Sequence, residues 1–140
     1  MKILLAADGS IYTRHAVKFL IRNRAIFGTE PVVHLLNVRP PLPGRAARAL
    51  SRAIVDRYYR EETRKALALA KRVLDRARIA YKEVGLVGDP GTAIASYAKR
   101  GKFSLVIMGS HGQGALKSLV LGSVATKVLA NCKAPVLIVR

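Results

Sequence analysis

A chain of 140 residues, half of them hydrophobic, is too apolar for a disordered segment and long enough to bury its own core as one domain over residues 1–140. Its formal charge of +17, from 25 Lys and Arg against eight Asp and Glu, favours polyanionic partners and makes any such binding salt-sensitive. No apolar run nears the ~20 residues of a membrane span. The single Cys132 excludes an internal disulfide, so a cytoplasmic protein with no membrane contact is expected.

The apolar run Lys2–Ala7 reads as a buried first strand. Asp8 ends it too early for a signal sequence, and Asp8-Gly9-Ser10 breaks it. Thr13 is placed to cap a helix running to about Phe27, with Ala16, Val17, Leu20 and Ile21 at helical spacing and Gly28 as its stop. Val32–Val38 is the second strand. The loop Arg39–Gly44 follows, where three prolines forbid regular structure.

A helical pattern spans about Arg45–Ile79, with a clear stripe of Ala66, Leu67, Ala70, Val73, Leu74 and Ala77. Thirty-five residues is long for a globular helix, and the first half reads also as a separate segment. Tyr81–Val87 is the third strand. Asp89 and Pro90 fit the N-cap and first position of a helix that covers Thr92–Lys99 and ends at Gly101. Phe103–Met108 is the fourth strand, Val124–Asn131 the last helix and Pro135–Val139 the fifth strand.

Strands alternating with helices predict right-handed crossovers and a parallel sheet covered on both faces. Ligands of such sheets sit at the carboxyl ends of the strands, where Asp8, Val38 and Gly109 would converge. The stretch Met108–Ser123 holds the glycines expected of an anion cradle: a strand, a glycine-rich loop, and a helix start carrying a hydroxyl. It is not a P-loop, since Lys117-Ser118 has no glycine immediately before it. Nor is it the dinucleotide fingerprint, since the position three after Gly114 is Lys117.

The spacing present is Gly109-x2-Gly112-x9-Gly122-Ser123. With Asp8 after the first strand, Gly88-Asp89-Pro90 at a helix start and the closing run Pro135–Val139, the chain resembles the universal stress protein family, specifically its ATP-binding branch. The resemblance covers essentially the whole chain. It implies a Rossmann-like five-stranded parallel sheet of order 3-2-1-4-5, and a homodimer through the edge strand Val136–Val139.

It also implies a nucleotide-dependent switch that binds ATP and Mg²⁺ and acts on an unidentified protein partner in a stress response. Val38, with the backbone near Ala6 and Ala7, would hold adenine. Asp8 and Gly109 would lie near the ribose and first phosphate, with Asp8 the nearest carboxylate for Mg²⁺, directly or through water. Gly112, Gly122, Ser123 and Val124 would hold phosphates through backbone N–H groups and the Ser123 hydroxyl, and Met108 and Gln113 complete the nucleotide-binding residues. Binding would order the 113–121 loop. AMP or a cyclic nucleotide in the same crevice is an alternative ligand. No residue takes a catalytic role, and slow hydrolysis stays open.

His111 reads as a loop residue rather than a catalyst, and His15 and His34 have no ligand-like spacing with it. Arg39–Arg78 holds twelve of the basic residues against four acids. Its helix Arg45–Arg78 reads either as a solvated face or as a nucleic-acid-binding module in which Tyr58 and Tyr59 stack on bases.

Overall fold

The computed structural model describes residues 1–114 and 120–140. Five parallel strands form one sheet: β1 (Lys2–Ala6), β2 (Val32–Arg39), β3 (Tyr81–Val87), β4 (Leu105–Gly109) and β5 (Val136–Val139). Their order is β3-β2-β1-β4-β5. The central β1 is almost wholly buried because both of its faces are covered, which is why it reads as an unbroken apolar run rather than an alternating one.

Helices α1 (Ile11–Arg22) and α3 (Arg52–Arg76) cover one face. There Val17, Leu20, Leu67 and Leu74 pack on Ile3, Leu5, Leu35 and Ile107. Helices α4 (Pro90–Arg100) and α5 (Ser123–Asn131) cover the other, where Ile94, Ala98, Ala125 and Val128 meet Leu4, Leu36, Val106 and Met108. The short α2 (Gly44–Ala49) buries no residue. Among the described residues no helix is long and apolar enough to cross a membrane.

Three helix boundaries differ from the sequence expectation. The cap of α1 is Ser10, whose Oγ accepts the Thr13 N–H at 3.3 Å. Thr13 is instead a buried residue inside the helix, and its hydroxyl donates to Asp8 Oδ1 at 2.8 Å. The helix stops at Arg22 rather than near Phe27, because the Asn23 amide donates to the Phe19 carbonyl at 2.9 Å and a short 3-10 turn, Arg24–Phe27, follows. The long pattern from Arg45 is two helices, divided at Leu50, with Ser51 capping α3. Asp89 and Pro90 start α4 as expected.

Candidate functional site

The chain reverses its winding direction at β1 and β4. The two strands are neighbours, but their following helices pack on opposite faces. Crossovers leaving in opposite directions open a crevice beyond the carboxyl ends of these strands. A cleft of about 540 Å³ lies there, within the ~300–1,000 Å³ typical of small-molecule sites. All eleven residues singled out from the sequence line it: Ala6, Ala7, Asp8, Val38, Met108, Gly109, Gly112, Gln113, Gly122, Ser123 and Val124.

The cleft has an apolar half and a polar half. Ala6, Val38, Ile94, Met108 and Ala125 belong to the α4–α5 side and make the apolar wall. The polar half is built on Asp8. Its Oδ1 accepts the Ser10 N–H at 2.9 Å and the Thr13 hydroxyl at 2.8 Å. Its backbone N–H donates to Thr13 Oγ1 at 3.0 Å. Asp8 thus folds the β1–α1 turn, with Gly9 at φ 83° supplying the left-handed step that an L side chain resists.

Across the cleft, the Gln113 N–H donates to Asp8 Oδ2 at 3.1 Å, and its side-chain amide to the Asp8 carbonyl at 2.8 Å. A Cβ on Gly112 would stand 2.8 Å from Asp8 Oδ2, so only glycine lets the loop pass this close to the carboxylate.

Gly122 is the N-cap of α5, and its N–H donates to the Ser110 carbonyl at 2.8 Å. That corrects one expectation: the Gly122 N–H is committed within the protein and has nothing left for a phosphate. The glycine serves close approach instead, since a Cβ there would meet His111 Cα and the Ser110 oxygen at 3.2 Å. Among the described residues, the donors of this helix end without a partner are those of its first turn, Ser123 to Ala125. They carry the positive end of the helix dipole, and the Ser123 hydroxyl stands beside them.

Several lining residues were not singled out as ligand positions by the sequence pattern. Ile94 and Pro90 reach the cleft from α4, and Arg39 and Pro40 close the rim beyond β2. Buried Asn37 donates its amide to the Ala7 carbonyl at 2.8 Å, while its Oδ1 has no partner among the described residues. His111 Nδ1 lies 2.9 Å from Ser110 Oγ, and its ring tilts against Tyr12 at 5.1 Å. Near the Pro90 edge, Lys127 Nζ bonds Asp89 Oδ1 at 2.9 Å, and with the capped Thr92 N–H it holds the Asp89 carboxyl down at about 2.

His34 lies far from His111 in the fold. It bonds the Tyr97 hydroxyl at 2.9 Å and is held below its usual range by burial and by the charges of Lys2 and Lys82. Among the described residues no cluster of three His, Cys, Asp or Glu could hold a metal ion.

The basic stretch lies apart from the cleft, on α2 and α3. The two regions touch at the rim, where Arg39 pairs with Glu62 at 3.0 Å and Tyr59 Oη accepts the Leu42 N–H at 2.7 Å. Residues 115–119, which include Lys117, Ser118 and most of the loop expected to order on binding, lie outside the described residues.

Comparison with known proteins agrees with this arrangement. A universal stress protein of Methanocaldococcus jannaschii, MJ0531, is 30% identical over 142 residues, covering 99% of this chain and 81% of the relative. The solved structure of the hypothetical protein MJ0577 superposes with a TM-score of 0.77 at 27% identity, covering 99% of this chain and 94% of that one. A universal stress protein in complex with cAMP shares the fold, with a TM-score of 0.73 at 23% identity over 100% of this chain and 97% of that one. The Universal stress protein family matches over residues 1–140, and the chain belongs to that family.

Proposed function

We propose that this chain is a cytoplasmic ATP-binding protein of the stress response, working as a nucleotide-dependent switch. The observation that carries the reading is the cleft's polarity. An apolar wall suited to a base ends at a glycine-lined turn and a helix N-terminus suited to phosphates. Adenine lies against Ala6, Val38 and Met108. The ribose faces Asp8 and Gly109. The phosphates take the N–H groups of Ser123 and Val124 and the Ser123 hydroxyl, while Gly112 and Gly122 keep side chains out of their path.

Three donors already occupy the Asp8 carboxylate. Magnesium would therefore be held by phosphate oxygens and water, with Asp8 reaching it through a water. Bound in this way it would neutralise phosphate charge and fix the phosphate geometry. Gln113, tied to Asp8 and leading directly into the 113–121 loop, is where occupancy of the cleft would reach that loop and a protein that reads it.

A second ligand reading, AMP or a cyclic nucleotide in the same cleft, is favoured by the likeness to a protein solved with cAMP. Native mass spectrometry of the purified chain with ATP, AMP and cAMP supplied in turn separates these. The account expects retention of ATP with magnesium, one per chain. Retention of cAMP alone would make the chain a cyclic-nucleotide sensor, and retention of none would remove the nucleotide assignment.

A further inference from the structure

The basic excess is not spread evenly over the surface. Residues 39–78 hold ten of the chain's fifteen arginines but two of its ten lysines. Arginine presents a planar fork that grips phosphate in bidentate fashion and stacks on bases, which a lysine ammonium does not.

The helices carrying this excess are held poorly by the core. None of α2 is buried, and in α3 no residue before Ala66 is buried; this first half of α3 meets the sheet at its end, through Thr63 against Gly85 and Glu62 against Arg39. The charge of this half-helix is mixed but basic on balance: Arg52, Arg57, Arg60, Arg64 and Lys65 against Asp56, Glu61 and Glu62, with Glu61 within three or four residues of Arg57, Arg64 and Lys65. Arg57 and Arg60 lie three residues apart, and Arg60 and Arg64 four, spacings at which like charges destabilise a helix. The acid at Glu62 is already shared between Arg39 and Lys65. Across α2 and this half of α3 seven basic residues stand against three acids, and that excess attracts an external anion.

The same outward face carries apolar groups. Ile54 is 44% exposed and Tyr58 37%, and with Arg57 and Lys65 they lie at spacings that fall on one side of the helix. The Tyr58 ring meets Tyr59 edge-on at 5.4 Å, and Tyr59 is anchored by the Leu42 N–H. One aromatic is therefore braced while the other is presented to solvent. An exposed aromatic among arginines suits a chain whose bases are unpaired, because a base can stack on the ring while its phosphates meet the guanidinium groups.

We infer that the outward face of α3 around Tyr58, Arg57, Arg64 and Lys65 is a docking surface for single-stranded nucleic acid. It uses none of the cleft residues, so it stands or falls apart from nucleotide binding.

Fluorescence anisotropy with a labelled 20-nucleotide oligouridine RNA, at several salt concentrations, tests it. Tyr58→Ala should weaken binding about tenfold, from the loss of one stacked base. The triple variant Arg57→Gln/Arg64→Gln/Lys65→Gln should lower the slope of log K against log salt by about 2, at ~0.7 per lost phosphate contact on a single strand. A control of equal charge, Lys99→Gln/Lys102→Gln/Lys133→Gln, should leave the slope unchanged; all six side chains are exposed, so the fold is retained. Equal losses from the two triple variants would show a diffuse charge effect and overturn the inference. So would an unaffected Tyr58→Ala, or tighter binding of duplex DNA or polyglutamate than of oligouridine.

Discussion

Asp8 and Gln113 are 105 residues apart in sequence and hold each other by two hydrogen bonds, one to the carboxylate and one to the backbone carbonyl. The pair ties the β1–α1 turn to the loop that follows β4. Asp8→Asn places an amide donor where the Gln113 N–H needs an acceptor, and should cost about 1–2 kcal/mol through the unmet bond. Gln113→Ala removes only an exposed side-chain bond and should cost about 0.5–1 kcal/mol. Urea denaturation of both variants measures this. A smaller loss from Asp8→Asn than from Gln113→Ala would contradict the central place given to the carboxylate.

Gly109 ends β4 directly against Tyr12 of α1. A Cβ there would overlap the Tyr12 Cβ and stand 2.9 Å from its carbonyl carbon. This contact is with backbone, which cannot rotate away, so Gly109→Ala should destabilise the fold by about 1–3 kcal/mol through overpacking. Gly114→Ala has open space around its Cβ but a φ of 76°, so its cost should come from backbone strain alone, of order 1 kcal/mol. Thermal unfolding of the two variants should rank Gly109→Ala as the less stable, and the reverse order would contradict the packing role.

Asp89 caps α4 and receives Lys127 from α5, which lowers its carboxyl from 3.8 to about 2. A carboxyl depressed on folding stabilises the native state above its unfolded value. That contribution is lost as pH falls from about 5 toward 2. Asp89→Asn should therefore lower Tm at pH 7 and flatten its dependence on pH below 5. An equal acid dependence in the variant and the native chain would locate the titration elsewhere.

The edge strand β5 leaves Val136, Leu137, Ile138 and Val139 each partly exposed. An apolar edge with unpaired backbone groups favours pairing with a second copy. Light scattering at micromolar concentration should give a dimer, and Ile138→Lys should shift it toward monomer. A monomeric native chain would reject this proposal.

The sheet was readable from the sequence because β1, β4 and β5 are short apolar runs ended by Asp or Gly or opened by Pro, β2 lies between Pro31 and Pro40, and Gly-Asp-Pro closes β3 and starts α4. The cap of α1 was not, because Ser10 and Thr13 are both capping residues. Only the three-dimensional turn at Asp8 draws the Thr13 hydroxyl inward. The extent of the 45–79 helical pattern was blurred for a similar reason, since Ser51 interrupts it without proline or glycine. In the site, the glycine spacing located the lining but not each glycine's job. That the Gly122 N–H is taken by Ser110 depends on how two distant segments meet. Ile94 and Pro90 enter the cleft through the packing of α4, which no local pattern encodes.

The central claim is that the end of the cleft at Gly122 and Ser123 holds the phosphates of ATP. Calorimetric titration of ATP and magnesium into the native chain, Gly122→Ala and Ser123→Ala tests it most directly. The account predicts one site per chain in the native protein and at least about a tenfold loss of affinity in each variant, matching the loss of a charge-assisted hydrogen bond or of the close approach of α5 to the loop. Affinity unchanged in both variants, or no heat of binding from the native chain, would contradict it.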